Sequence, residues 1–193
     1  MSKTQPIRQP DQLTDFKNYY LTEHPNPRNY TLIILGLNTA LRISDILKIT
    51  WDMVYDFDLE QYRSHLELTE QKTGKETLIA LNHAVTTTLE CLRQIQKPQP
   101  TNAYLFISQK DKTAPLSRYQ AYRIIKKAAA YAHLPEHISC HSLRKTFGYH
   151  AWKNGTPPAL LMDIFNHSSY QITKRYLCIE QDDKDDVFCH INL

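Results

Sequence analysis

Hydrophobic positions along this chain recur mostly at helical spacing, and in one stretch the period drops to two. In DQLTDFKNYYL, Leu13, Phe16, Tyr20 and Leu21 fall near the 3.6-residue period and predict a first helix, which Pro25 and Pro27 interrupt. NYTLIILGLNTA is apolar almost all round, so it predicts a central buried helix ending near Gly36 and Asn38. RISDILKI predicts a short helix whose inner face carries Ile43, Ile46, Leu47 and Ile49, and Trp51 opens a stretch expected to be irregular. From Tyr62, the alternation in YRSHLELTE and its resumption in ETLIAL predict two strands. Between them, Lys72, Thr73, Gly74 and Lys75 form a hairpin turn, with glycine where positive φ is needed.

Beyond the hairpin the helical period returns. HAVTTTLECLRQIQK is a helix that stops before Pro98 and Pro100, and AYLFIS is a short strand or a buried connector. Ser117 is a good N-cap for RYQAYRIIKKAAAYAH, whose inner side is read as Tyr119, Tyr122, Ile125 and Ala129. HSLRKTFGYHAWKNG closes on Gly155, PPALLMDIFNH opens on prolines suited to a first turn, and SYQITKRYLCIE is the last full helix before the apolar segment VFCHINL. The pattern predicts a mainly α fold with a small antiparallel β-hairpin, of the α+β class. Residues 1–193 read as one domain, with residues 180–193 as a tail.

Composition narrows the chemistry. A chain of 193 residues can bury a core of its own. No apolar run reaches membrane-spanning length and MSKTQPIRQP carries no signal-peptide stretch, so a cytoplasmic protein is expected. Cys91, Cys140, Cys178 and Cys189 show no CxxC pairing and read as reduced thiols. The net charge of +3 divides unevenly: residues 177–193 hold five acids and Lys184, leaving 22 bases against 15 acids in the body. A basic body suits a polyanion, while the QDDKDD segment reads first as a solvated tail. Nucleotide loops of the GxGxxG or Walker type are absent. His137, Cys140 and His141 match no common zinc spacing, so no metal site is assigned.

What stands out is a set of polar residues spread over the chain: Arg42, Lys72, His141, Arg144, His167 and Tyr176. Two guanidiniums can clamp a phosphate, a lysine and histidines can move protons, and a tyrosine hydroxyl can attack phosphorus. Each also has a plainer reading: Arg42 as a partner of Asp45, Lys72 as solvated surface, Tyr176 as one core tyrosine among twelve. His141 and Arg144, three apart, share a face in the first turn of a helix, where exposed N–H groups favour an anion. Lys75 competes with Lys72 at the hairpin tip and is expected to contact DNA. Gln120, Arg123 and Lys127 are near helical spacing and are candidates for reading a major groove, although a solvated outer face is nearly as good an account.

In order, TALRISDILKITWDMV, QKTGK, HSLRKTFGYH and NHSSYQITKRYL resemble the boxes of the tyrosine recombinase catalytic domain, the phage integrase family, from about residue 10 onward. The resemblance implies that Tyr176 attacks the scissile phosphate to give a 3′-phosphotyrosyl intermediate and a free 5′-hydroxyl. It implies that Arg42 and Arg144 hold the nonbridging oxygens, His141 assists deprotonation of Tyr176, Lys72 protonates the leaving oxygen and His167 contacts the phosphate or places the tyrosine. No cofactor is implied, neither ATP nor metal. The implied partner is double-stranded DNA, with a homotetramer on DNA, a monomer when free, and accessory DNA-bending proteins as further candidates. Asn166 stands where many members have glycine, and a left-handed turn is expected to survive there. With the first box already at Arg42, no separate N-terminal core-binding domain is expected, a layout similar to the stand-alone fimbrial phase-variation recombinases; an excised domain of a longer protein is the alternative. Ile179, Val187, Phe188 and Ile191 are expected to dock the tail in cis or in trans. Two other readings remain: a non-catalytic DNA-binding regulator on this scaffold, and a topoisomerase IB-like nicking and resealing activity.

Overall fold

The computed structural model describes residues 4–98, 103–135 and 137–191. Helix α1 (Pro10–Asn18) opens on a proline at its first turn and runs into a π-helical turn at Tyr19–Glu23. Helix α2 (Pro27–Asn38) is capped by Asn26, whose side chain accepts from the Asn29 N–H at 3.1 Å. As its all-round apolar sequence predicts, α2 is central. Leu32, Ile33 and Leu35 are fully buried, and the helix packs against α5 (His83–Gln96) on one side and α7 (Cys140–Lys153) on another. Gly36 permits the second contact: a Cβ there would stand 2.4 Å from Leu143 Cδ1.

Helix α3 (Ile43–Ile46) follows at once, and Trp51 begins a helical turn, α4 (Trp51–Val54). The irregular stretch expected from Trp51 is therefore ordered. The indole is buried and its Nε1 donates to Gln96 Oε1 at 2.9 Å, and β1 (Tyr55–Asp56) then pairs with β2 (Gln61–Tyr62). The predicted hairpin is present as β3 (His65–Thr69) and β4 (Glu76–Ala80), antiparallel with Thr69 opposite Glu76 and Gly74 at φ 66°. AYLFIS is a buried connector, with Leu105 and Phe106 fully covered and the Leu105 N–H donating to the Ile49 carbonyl at 3.0 Å. The stop expected at Pro100 lies outside the described residues, as do Asn192 and Leu193 of the final apolar segment.

Helix α6 (Arg118–Tyr131) starts on a reciprocal capping box between Ser117 and Gln120. Its inner face differs from the predicted one. Ala121, Ile124, Ile125, Ala128 and Ala129 are buried, whereas Tyr119 is 68% and Tyr122 42% exposed. Three small alanines let the helix backbone approach the core closely, which turns the tyrosines outward. Helices α8 (Pro158–Ile164) and α9 (Tyr170–Leu177) close a second, smaller cluster around α7, made of Ala40, Leu161, Phe165, Tyr176 and Leu177. Gly148 makes that cluster possible, since a Cβ would meet Phe165 Cζ at 2.6 Å.

The acidic segment forms helix α10 (Gln181–His190) and is not a free tail. Its anchor is ionic. Asp183 is 4% exposed and meets Lys153 Nζ at 2.9 Å, the Tyr149 hydroxyl at 3.3 Å and Arg8 Nη1 at 3.8 Å. Val187, Phe188 and Ile191 are exposed, so of the expected apolar contacts only Ile179 packs against the body. Among the described residues no helix is long and apolar enough to cross a membrane.

Candidate active site

The end of α2 begins the site. Ala40 takes left-handed backbone at φ 55°, and its carbonyl accepts a hydrogen bond from Arg144 Nη1. Two residues on, Arg42 stands at the N-cap of α3 and reaches the hairpin, where Nη1 meets Glu70 Oε2 at 2.7 Å. Arg144 reaches Glu70 as well, 3.7 Å from Oε1, and donates through Nη2 to the Phe165 carbonyl at 2.6 Å. Arg144 is 2% exposed and Glu70 1% exposed, so two guanidiniums share one buried carboxylate. Such a charge is tolerable inside a protein only when paired and hydrogen-bonded, and both conditions are met. Burial raises the proton affinity of Glu70, but Thr73, Arg42 and Arg144 outweigh it and hold the carboxyl below its usual range.

His141 and Arg144 lie one turn apart at the start of α7, as their spacing predicts. Ser139 is the N-cap, and its N–H donates to Ser142 Oγ at 3.1 Å. Facing them, α9 brings Tyr176, whose hydroxyl is 3.3 Å from His141 Nδ1 with the two rings edge to face at 4.9 Å. His167 also lies against Tyr176, at 4.9 Å between ring centroids, and its Nδ1 is held 3.0 Å from Thr173 Oγ1. Asn166 adopts φ 51°, so the left-handed turn before His167 survives without glycine.

The electrostatics follow from burial among cations. Burial lowers the proton affinity of His141 to about 4, helped by Lys145, Arg144, Arg42 and Lys72. Burial takes His167 to about 4 as well, with Arg144 and Arg42 adding to it. Both imidazoles are therefore neutral at pH 7. In its Nε2-protonated tautomer, His141 offers Nδ1 as a hydrogen-bond acceptor to the Tyr176 hydroxyl. Tyr176 is pushed up to about 12 by burial, against the pull of Arg144 and Arg42.

Of the residues singled out in the sequence, Arg42, Lys72, His141 and Arg144 line one open groove of about 840 Å³. Tyr176 and His141 line the neighbouring pocket, of about 470 Å³, with Lys145, Arg175 and Cys178. Lys75 is exposed and outside the groove lining. Gln120, Arg123 and Lys127 line a separate small pocket with Tyr20 and Arg28, and the residues of α6 that face the groove are Arg118, Tyr119 and Tyr122.

Sequence reasoning missed Glu70 and Lys145. Glu70 was detectable, because it continues the inward alternation of Leu66 and Leu68, and a carboxylate on that face needs a cation. Lys145 reads as ordinary helix surface beside Arg144. Instead it is 4% exposed, donates to the Thr4 carbonyl at 2.7 Å and sits 5.6 Å from the Tyr176 ring centroid.

Residues 8–182 match the Phage integrase family. The chain is 43% identical over 186 residues to the probable integrase/recombinase YoeC of Bacillus subtilis (strain 168), covering 94% of this chain and 93% of that protein. It is 30% identical over 152 residues to the type 1 fimbriae regulatory protein FimE of Escherichia coli (strain K12), covering 77% of this chain and 73% of FimE. The crystal structure of XerA recombinase superposes with a TM-score of 0.79 at 16% identity, over 100% of this chain and 66% of XerA. The chain thus belongs to the phage integrase family of tyrosine-type site-specific recombinases, and it folds as their catalytic domain.

Proposed function

We propose that Tyr176 is the nucleophile of a DNA strand transesterification, with Arg42, Lys72, His141, Arg144 and His167 completing the site. The observation that carries this reading is the Tyr176–His141 contact of 3.3 Å beside two arginines that already converge on one anion, Glu70. Tyr176 O attacks the scissile phosphorus, His141 Nδ1 takes the phenolic proton, and the P–O5′ bond breaks as the new P–O(Tyr176) bond forms. Lys72 gives a proton to the departing 5′-oxygen. Arg42 and Arg144 face the nonbridging oxygens, where charge grows in the transition state. His167 packs on Tyr176 and sets its direction. Rejoining reverses each step with a 5′-hydroxyl from another strand as nucleophile, so the phosphotyrosyl ester conserves the bond energy throughout.

The partner in this reading is duplex DNA, bound by a basic body and assembled as four copies on paired sites from a free monomer. Two measurements test it together: inversion or excision between two copies of the target on a plasmid, and relaxation of a one-site supercoiled plasmid. Tyr176-dependent exchange between two sites supports the recombinase. Relaxation with no exchange points to nicking and resealing alone, and DNA binding with neither activity points to a regulator.

A further inference from the structure

Glu70 does more than neutralise two arginines. It stands just beyond the end of β3, and nearly every polar atom it offers is engaged. Its carboxylate meets Arg42 at 2.7 Å and Arg144 at 3.7 Å, and Thr73 Oγ1 donates to Oε2 at 2.7 Å. Its N–H donates to the Lys75 carbonyl at 2.9 Å, and its carbonyl accepts from the Gly74 N–H at 2.8 Å. The next residue is tied to the same wall: Gln71 N–H donates to Asp45 Oδ1 at 3.1 Å, and Gln71 Nε2 to the Ser44 carbonyl at 3.2 Å. Lys72 follows immediately. The turn is thereby closed across its base and pinned, through two consecutive residues on its β3 side, to the segment that carries Arg42.

We propose, building on the reading of Lys72 as proton donor to the 5′-oxygen, that Glu70 is the positioning residue that delivers Lys72 to the reacting phosphate. It clamps the β3–β4 tip onto the Arg42–Arg144 pair. A lysine at the end of four rotatable bonds on an untied turn would spend little time in reach of one oxygen, and general-acid catalysis depends on that reach. Arg144 keeps the carbonyls of Ala40 and Phe165 when Glu70 is removed, so the loss falls mainly on the hairpin and Arg42.

The test changes the leaving group. In a strand with sulfur replacing the 5′-bridging oxygen, the P–S bond breaks to release a thiolate, which needs no proton because thiols ionise near pH 8.5. Single-turnover formation of the covalent adduct is measured on nicked duplexes made from DNA flanking the gene, with oxygen or sulfur at the bridging position. The proteins compared are wild type, Glu70→Ala, Glu70→Gln, Thr73→Val, Lys72→Ala and Arg42→Ala. Thermal unfolding of each reports folding, and Glu70→Gln, nearest in shape, carries the test if Glu70→Ala does not fold.

The expected result is a loss of about a hundredfold on the oxygen strand for the Glu70 variants and Lys72→Ala, most of it restored on the sulfur strand. Thr73→Val shows a smaller defect of the same kind, and Arg42→Ala, which loses both the nearer cation of the clamp and its own phosphate contact, recovers only a small part of its loss. A Glu70 defect of equal size on both strands, or none on either, overturns the clamp while leaving Tyr176 chemistry intact. Loss of relief in Lys72→Ala would remove its premise, and absence of any wild-type adduct on the sulfur strand would overturn the nucleophile reading and this inference with it.

Discussion

The Tyr176 hydroxyl lies 3.3 Å from His141 Nδ1, across 35 residues of chain. A buried phenol that gives up its proton only near pH 12 faces an imidazole that takes one only near pH 4. Neither group ionises alone at neutral pH. In the proposed mechanism the pair exchanges a proton only as charge develops at a bound phosphate.

The pH dependence of cleavage should follow. An ordinary imidazole has lost half of its free base form at pH 6.5, whereas His141 reaches that point only at about 4. Single-turnover cleavage should therefore stay level as the pH is lowered from about 8 to about 5.5. A rate that halves near pH 6.5 would show that His141 is solvated and ordinary.

Stability should respond over the same range. Between pH 6.5 and about 4 the unfolded chain binds protons at His141 and His167 that the folded chain refuses. Their contribution is thus complete above pH 6.5 and is lost as the pH falls toward 4. The melting temperature should drop across that window, and less steeply in His141→Gln/His167→Gln. At the alkaline end the folded state retains the Tyr176 proton to about 12, so stability should decline above pH 10.

The two arginines should differ in structural cost. Arg144 is fully buried against Glu70 and two carbonyls, while the Arg42 side chain keeps 18% exposure. Arg144→Ala should destabilise by about 3–5 kcal/mol in urea unfolding, because it empties a buried site, leaves the Ala40 and Phe165 carbonyls without their donor and takes one of two cations from Glu70. Arg42→Ala should cost clearly less, with both variants losing cleavage. Equal stability of the two would contradict the buried network.

Gly148 is a second structural test. An added methyl would overlap the Phe165 ring at 2.6 and 2.9 Å, and the Phe165 carbonyl seats Arg144. Gly148→Ala should lose about 1–3 kcal/mol and much of its cleavage rate. An alanine variant with normal unfolding and cleavage would mean that the second cluster yields easily.

Helix α10 should depend on one charge. Asp183→Asn keeps the shape but loses the ion pairs with Lys153 and Arg8. Limited proteolysis should then cut residues 181–190 faster, while the unfolding midpoint of the body changes little. Unchanged proteolysis would assign the docking to other contacts.

Much of this was legible in the sequence, for physical reasons that also mark the limits. Helices α2 and α7 and the hairpin follow from periodicity, proline, and the glycine at position 74. The convergence of Arg42, His141, Arg144, His167 and Tyr176 followed from the ordered boxes rather than from any single spacing. Periodicity failed at α6, where it placed Tyr119 and Tyr122 inside although small alanines claim the interior. It also failed at the acidic end, because charge suggests solvation, while Asp183 finds Lys153, Tyr149 and Arg8, all distant in sequence. Contacts between remote segments leave little local trace, which is why nothing in the sequence singles out Lys145, held by the carbonyl of Thr4.

The most direct measurement is covalent trapping. Wild type and Tyr176→Phe are incubated, without metal or ATP, with nicked duplexes from DNA flanking the gene, then resolved on denaturing gels, and the attached peptide is sequenced by mass spectrometry. The account predicts a protein–DNA adduct at a 3′-phosphate, carried on Tyr176 and absent from Tyr176→Phe. An adduct that persists in Tyr176→Phe, or that maps to another residue, would contradict it.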